Sequence, residues 1–243
     1  MAFNIPNQTS FSLQRPVNNA AAWTRQPDWI TITDVAGEVQ FLVSDIAFPA
    51  VYRIETVYTK PAAQNIYIDW GDGVIDTIST AAATSTEHTY TTGGTVCSQG
   101  YNTWKIRIYA DAGATITQAT HLIPTLFGSV QNLSGLLEEY YGDGTITTAT
   151  YLHKFSTTRP LFYNLQYSKL PSVMSSVTAG FGETYAECIA LAKVDLPTSS
   201  ANNTGCGAMF SGCYNLQSVT LPQDMSGSSM TNLVSTFQNC YSL

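Results

Sequence analysis

The last third of the chain is built on a near-repeat of about 26 residues. Three segments share the spacing Leu-x4-Leu-Pro, and they begin at Leu165, Leu191 and Leu216. The second and third segments carry a cysteine three residues before the first leucine, at Cys188 and Cys213. Self-similarity at this period predicts a solenoid, because each coil buries its apolar side only by stacking on its neighbours.

A fourth unit opens with Phe237 and Cys240 and reaches Leu243, the last residue of the sequence. A solenoid needs a polar cap at its end, and the residues near Leu243 provide none. We therefore expect that the repeats continue beyond residue 243, or that another chain covers this end.

Alternation along the Leu-x4-Leu-Pro stretch predicts which side chains face outward. Strand geometry places alternate residues on opposite faces, so Val194 and Leu196 are expected to point inward. The outward ladder then consists of Tyr167, Lys169, Lys193, Asp195, Ser218 and Thr220. Such a ladder is a candidate binding surface for a glycan or a protein, and it is also what a plain solvated sheet face looks like.

Charge narrows the class of partner. Charged residues make up only 11% of the chain, and the formal net charge is −7. Because nucleic-acid binding needs clustered Lys and Arg, and the 10 basic residues are scattered, we expect no nucleic-acid partner. No apolar run approaches the roughly 18 residues of a membrane span, so no membrane partner is expected either. The first residues, Met1–Ser10, lack the basic and apolar stretches of a secretory signal.

The N-terminal half combines an arm with a β domain. Residues 1–30 lack periodicity and are interpreted as an extended attachment arm, with Phe11, Trp23 and Trp29 as docking side chains; a floppy terminus is the alternative. Alternating apolar residues and glycine-rich turns predict an antiparallel β-sandwich over residues 31–122. Residues 123–160 are interpreted as a junction that caps the solenoid, with a short helix expected within residues 128–140.

Few residues are suited to catalysis or metal binding. His88 is expected to have a structural hydrogen-bonding role, and no common nucleophile, metalloprotease or nucleotide-binding motif is present. Asp69, Asp72 and Asp76 are close enough in sequence to bind calcium, although a tight turn explains Asp72 more simply. The five cysteines fit no zinc spacing and are predicted to be buried thiols. We therefore expect no enzyme, no cofactor and no metal.

Two segments resemble known families. Trp70-Gly-Asp-Gly73, His88-Thr-Tyr90 and Gly100-Tyr101 occur in the order that resembles the PKD family of immunoglobulin-like domains, over about residues 35–122. The unit Phe210–Pro222 resembles the BspA-like leucine-rich repeats, over about residues 160–243. The first unit departs from that pattern, since Phe162 takes the cysteine place. The resemblances imply a mainly β chain of spacer and binding modules: an arm, a PKD-like sandwich and a leucine-rich-repeat solenoid.

These features favour a structural virion protein of a tailed bacteriophage, such as a head fibre, tail fibre or decoration protein. Its arm would bind other virion proteins, its repeats would bind a host glycan, and it would form a homo-oligomer, with a trimer favoured. A protein without an export signal is expected to assemble in the host cytoplasm. The alternative is a bacterial cell-surface adhesin, and a further one is a glycan-active enzyme whose catalytic domain lies beyond residue 243.

Overall fold

The computed structural model describes residues 22–46, 51–56, 64–79, 84–112, 121–123, 135–145, 148–149, 162–174, 176–177, 181–200, 205–220 and 232–243. This part of the chain is mainly β and contains strands, turns and no helix. The prediction of a mainly β chain is therefore confirmed. No helix within the described ranges is long and apolar enough to cross a membrane.

The strands are β1 (Val39–Ser44), β2 (Val51–Thr56), β3 (Ile66–Asp69), β4 (Ile75–Ile78), β5 (Thr84–Thr89), β6 (Thr95–Val96), β7 (Asn102–Ala110), β8 (His121–Ile123), β9 (Leu136–Tyr141), β10 (Thr148–Ala149), β11 (Tyr167–Lys169), β12 (Val173–Met174), β13 (Ser176–Val177), β14 (Lys193–Asp195), β15 (Ser199–Ser200) and β16 (Ser218–Thr220).

Most of these strands belong to one mixed sheet of nine strands in the order β16-β14-β11-β9-β1-β7-β3-β4, with β6 paired to β7. From β9 to β4 the neighbours run antiparallel, whereas β9, β11, β14 and β16 run parallel. The strand β9 is therefore the point at which the antiparallel half and the parallel half of the sheet meet. A second antiparallel sheet has the order β5-β2-β8, and the pairs β10-β13 and β12-β15 are parallel.

Both faces of the central strands are covered. On the inner face, a single apolar cluster runs from Trp70 and Trp104 through Phe41 to Tyr185 and Phe210. Full burial of each such side chain stabilises the fold by about 1.5–3 kcal/mol. The outer face carries a smaller cluster of Trp29, Ile32, Leu42, Cys97 and Leu137. The segment 22–34 thus lies over the outer face of β1 and β9, and every residue of β1 is buried.

The strand β9 corrects the sequence interpretation of its region. The short helix predicted within residues 128–140 does not include Leu136–Tyr141, which form a strand that pairs with β1 on one side and β11 on the other. Residues 128–134 lie outside the described residues, and a helix there stays a prediction. Both of its faces are buried, so its sequence shows no alternation of apolar and polar residues. The predicted junction therefore supplies the central strand of the described sheet.

Between the parallel strands, each repeat unit contains a regular series of turns. Successive i to i+3 hydrogen bonds form consecutive turns, such as Cys188 N–H to the Tyr185 carbonyl at 3.1 Å. Each turn segment has one left-handed residue directly before its cysteine and another five residues before it. These six residues have φ between 52° and 78°, and they are Glu187, Gly212, Asn239, Glu183, Ala208 and Ser235. The 25- and 26-residue offsets between paired strand residues match the near-repeat in the sequence.

Side chains of equivalent residues stack in columns across the units. The rings of Tyr185 and Phe210 lie 5.6 Å apart at 3°, and those of Phe210 and Phe237 lie 5.4 Å apart at 12°. The Cys213 thiol donates to the Tyr185 carbonyl at 2.9 Å, and the Cys240 thiol donates to the Phe210 carbonyl at 3.1 Å. The predicted buried thiols are confirmed, because all five cysteines are buried and none of them forms a disulfide.

Candidate functional site

The outer face of the parallel strands carries the six residues of the predicted ladder. Register places them in two rows that cross the sheet: Glu138, Tyr167, Lys193 and Ser218 in one, and Tyr140, Lys169, Asp195 and Thr220 in the other. The alternation argument thus found the correct face, since Val194 is buried on the inner side. Glu138 and Tyr140 extend both rows by one strand and were not predicted.

Asp195 is the centre of the exposed part of these rows. It accepts hydrogen bonds from the Tyr167 hydroxyl and, at 2.8 Å, from the Thr220 hydroxyl, and the Lys193 ammonium lies 3.2 Å away. Burial raises the pKa of Asp195, but the hydrogen bonds from Tyr167 and Thr220 and the charge of Lys193 outweigh it and leave the pKa below its ordinary value. The site therefore presents a carboxylate and an ammonium side by side, together with a hydroxyl.

Aromatic rings border this polar cluster. The Lys193 ammonium lies 4.8 Å from the centre of the Tyr167 ring, and Tyr140 meets the same ring edge-on at 5.0 Å. Burial and the nearby Asp195 carboxylate raise the pKa of Tyr167, so its hydroxyl stays protonated. Tyr167 is therefore a fixed hydrogen-bond donor and a cation–π partner for Lys193.

Trp23 forms the rim of the site and comes from the N-terminal segment. Its ring lies 5.9 Å from that of Tyr167, its indole N–H donates to Gln166 at 3.0 Å, and its backbone N–H donates to Gln217 at 2.6 Å. Trp23 thus bridges the first and third parallel units of the repeat. Tyr167 is only 8% exposed, whereas Ser218 and Thr220 are exposed. The accessible part of the ladder lies on β14 and β16.

Trp29 does not match its predicted role. It is buried against Leu42 and Leu137, and its indole N–H donates to the Tyr101 hydroxyl at 3.0 Å. Trp29 therefore anchors the segment to this chain's own sheet, and this intramolecular role replaces its interpretation as a docking residue for a partner. Trp23 remains partly exposed. Phe11 and the rest of residues 1–21 lie outside the described residues, and their role stays a prediction.

Arg25 anchors the same segment electrostatically. Its guanidinium Nε lies 3.0 and 2.9 Å from the two carboxylate oxygens of Glu138, and its other nitrogens donate to the carbonyls of Trp29 and Ile30. Glu138 is fully buried. Burial raises the pKa of Glu138, and the Arg25 charge offsets only part of that rise. Within the described residues, Arg25 therefore supplies the counter-charge of this buried carboxylate.

On the inner face, Glu139 belongs to a buried polar network. It accepts a hydrogen bond from the Ser168 hydroxyl at 2.6 Å, and Ser168 in turn lies 2.6 Å from the Tyr185 hydroxyl. All three side chains are fully buried. The network therefore joins β9 to β11 beneath the surface of the inner face.

The Trp70–Gly73 turn is held by local hydrogen bonds. Asp72 lies 2.7 Å from His88 Nε2, and the His88 ring stacks on Trp70 at 4.9 Å. Burial raises the pKa of Asp72, but the hydrogen bonds with His88 and with the Val74 N–H have a larger opposite effect. The pKa of Asp72 therefore lies below its ordinary value. Asp76 accepts from the Trp70 indole at 2.8 Å. These contacts fit the tight-turn interpretation, and no group of three potential metal ligands occurs within the described residues.

A cleft of about 450 Å³ lies at the edge of the antiparallel half. Its walls are the segments 91–94 and 100–102, and Tyr90 and Trp104 stack at 4.3 Å beneath them. Asp45 lies at its rim and accepts from the Asn102 backbone N–H at 2.7 Å and from its side-chain amide at 2.6 Å. Asp45 and Asn102 therefore satisfy each other at the rim of this cleft.

The chain matches no protein-family model, no curated protein and no solved structure in the three comparisons. Its function is therefore inferred from the geometry of the outer face and from the sequence resemblances.

Proposed function

We propose that this chain is a non-enzymatic structural protein of a tailed bacteriophage particle, a head fibre, tail fibre or decoration protein, that binds a glycan or protein of the host surface. In this proposal the antiparallel half is a PKD-like spacer and the parallel half is a BspA-like leucine-rich-repeat solenoid. Assembly takes place in the host cytoplasm, and residues 1–21 supply the contact with other virion proteins. The particle contains a homo-oligomer of the chain, with a trimer favoured.

The exposed cluster on β14 and β16 carries the binding part of this proposal. Lys193, Asp195 and Thr220 present an ammonium, a carboxylate and a hydroxyl on one rigid face, beside the partly exposed ring of Trp23. Glycans present hydroxyl groups that both donate and accept hydrogen bonds, together with apolar C–H faces that pack on aromatic rings. The cluster supplies a partner for each of these groups. The low charge content supports the location in a virion.

The binding proposal is tested by replacing Lys193 and Thr220 together with alanine and measuring binding to host cells and to purified envelope polysaccharide. We expect the double variant to lose most of the binding while its thermal unfolding stays close to that of the parent. Lys105→Ala is the matched control, because Lys105 lies on β7 of the same sheet, roughly 19 Å away at the usual strand spacing. Binding that survives in the double variant would contradict the proposal.

The location is tested by peptide mass spectrometry on gradient-purified particles. Peptides of this chain that copurify with the major capsid protein support a virion component. Peptides found in the host envelope fraction and absent from particles would favour the alternative function, a bacterial cell-surface adhesin, because the two resembled modules also occur in such proteins. A monodisperse monomer of the full chain in light scattering would contradict the proposed oligomer.

A further inference from the structure

The turn segments of the repeats are joined by hydrogen bonds of a single polarity. Alternate backbone N–H groups of one segment donate to alternate carbonyls of the next, at distances between 2.7 and 2.9 Å. The donors of the first segment are Phe181, Glu183, Tyr185 and Glu187, and their acceptors are Gly205, Gly207, Met209 and Ser211. The donors of the second are Cys206, Ala208, Phe210 and Gly212, and their acceptors are Asn232, Val234, Thr236 and Gln238. The middle segment, from Gly205 to Gly212, therefore accepts on one side and donates on the other.

The segment Asn232–Leu243 has the same row of donors without acceptors. By its position relative to the cysteine, the row consists of the N–H groups of Leu233, Ser235, Phe237 and Asn239. None of these four groups donates a hydrogen bond within the described part of the chain. Backbone N–H groups are strong donors, and folded proteins pair nearly all of those that become buried. The face formed by Asn232–Leu243, here called the end face, is thus a ready row of donors spaced two residues apart.

The side chains around this row are apolar and exposed. Leu233 and Leu243 are 58% and 47% exposed, whereas their equivalents in the preceding segment, Cys206 and Leu216, are buried. Phe237 is 39% exposed, and its equivalent Phe210 is 1% exposed. The difference in exposed fraction shows how much of these side chains a following unit covers when it stacks on them. Exposed apolar surface next to unsatisfied donors is typical of an interface with polypeptide.

The stacked columns of rings and thiols indicate which groups a polypeptide bound to the end face must contribute. Continuing the ring spacing of 5.6 and 5.4 Å requires an aromatic ring over Phe237. Continuing the thiol contacts requires a donor for the Phe237 carbonyl, as Cys240 provides for Phe210. Filling the donor row requires carbonyls on alternate residues. We propose that the end face is a docking surface for one further coil of the same repeat, a polypeptide segment with a carbonyl row, an aromatic residue and a cysteine at the spacing of Phe210 and Cys213.

Hydrogen-bond polarity argues against a face-to-face pair of copies. If the end faces of two identical chains met across a twofold axis, donor row would oppose donor row, and the eight N–H groups would stay unpaired. A following coil offers the opposite polarity, as both internal interfaces of the repeat show. The occupant is therefore distinguished from a second end face by chemistry and not only by shape.

The experiment extends the full chain after Leu243 by a copy of residues 217–243, which continues the Leu-x4-Leu-Pro register. The matched control carries the same 27 residues in scrambled order. We expect amide hydrogen exchange at Leu233, Ser235, Phe237 and Asn239 to slow to the rates of their equivalents Cys206, Ala208, Phe210 and Gly212, and the urea midpoint to rise. The scrambled extension should change neither quantity.

Two results would overturn the proposal. One is fast exchange of the four amides in the in-register extension, because a coil that docks must cover them. The other is sedimentation of the unextended chain as a dimer in which the same four amides are already protected, because a second copy would then be the occupant. Both readouts are independent of glycan binding and of incorporation into particles.

Discussion

Arg25 is expected to stabilise the fold through the buried carboxylate of Glu138. Unfolding measurements at two pH values separate this electrostatic contribution from the other contacts of Arg25. Arg25→Gln removes both contacts to the carboxylate and the two contacts to backbone carbonyls. Loss of one partner of a fully buried ion pair costs about 3–5 kcal/mol. The Arg25 side chain is 26% exposed, so solvent screens part of the interaction. We expect a loss of about 2–3 kcal/mol in the free energy of unfolding at pH 7.

The sign of the pH dependence follows from the direction of the Glu138 shift. Its pKa in the fold is raised above the ordinary 4.5, so the fold favours the protonated acid and stability falls as the pH rises through the folded-state pKa. Without Arg25 the folded-state pKa rises further. The difference between parent and variant should therefore be large at pH 7 and shrink at pH 4, where Glu138 is mostly protonated in both proteins.

The assay is urea unfolding followed by tryptophan fluorescence at both pH values. With a slope of about 2 kcal/mol per M, the expected loss at pH 7 moves the midpoint by about 1 M. Adding Glu138→Gln to the Arg25→Gln variant should recover much of the loss, because the uncompensated charge is gone. Arg107→Gln is the control for a more exposed pair with Glu38, with an expected loss below about 1 kcal/mol. Equal losses at pH 4 and pH 7, or no recovery in the double variant, would refute the electrostatic argument.

Three further outcomes follow from the described contacts. Glu187→Gly should raise the free energy of unfolding by about 1 kcal/mol, because Glu187 has a φ of 63°, and Gly212→Ala at the equivalent place should lower it; equal effects of the two changes in chemical denaturation would contradict this. The Cys213 thiol is buried, and burial raises its pKa, so a thiol reagent at pH 8 should label it only after unfolding, as peptide mass spectrometry can show. Because the pKa of Asp72 lies below its ordinary 3.8, its pairing with His88 stabilises the fold above that pH and is lost as the pH falls further; acid titration of His88→Ala should show a smaller loss over that range than the parent.

The strands with one clear alternation were the predictable ones. β7 is predictable because Trp104, Ile106 and Ile108 alternate with more polar residues. The inward position of Val194 follows from the same alternation along a strand. β9 was not recognised, since burial of both faces removes alternation and the pairs Leu136-Leu137 and Glu138-Glu139 then show no period. Sequence reasoning has no local signal for a strand of this kind.

The candidate site was predictable in part for the same reason. Alternation placed Tyr167, Lys193 and Thr220 on one face, because that rule acts within each strand. It did not place Trp23 over them, since Trp23 and Gln166 are separated by 143 residues. No local pattern connects Glu138 with its partner Arg25 either, because Arg25 lies 113 residues earlier. Contacts at such separations are set by packing, which leaves no periodic trace.

The continuity of the sheet through β9 has a mechanical consequence. No loop interrupts the hydrogen-bonded rows between β4 and β16, so a pull along the row of strands acts directly on backbone hydrogen bonds. Force in this direction breaks the ladders of hydrogen bonds one after another. It is smaller than the force along the strands that would shear all bonds of a ladder at once. The segment 22–34 crosses these ladders from Gln217 to Tyr101 and is clamped at Trp23, Arg25 and Trp29. Under tension this segment would bear part of the force alongside the sheet. It would thereby delay the separation of the antiparallel half from the parallel half.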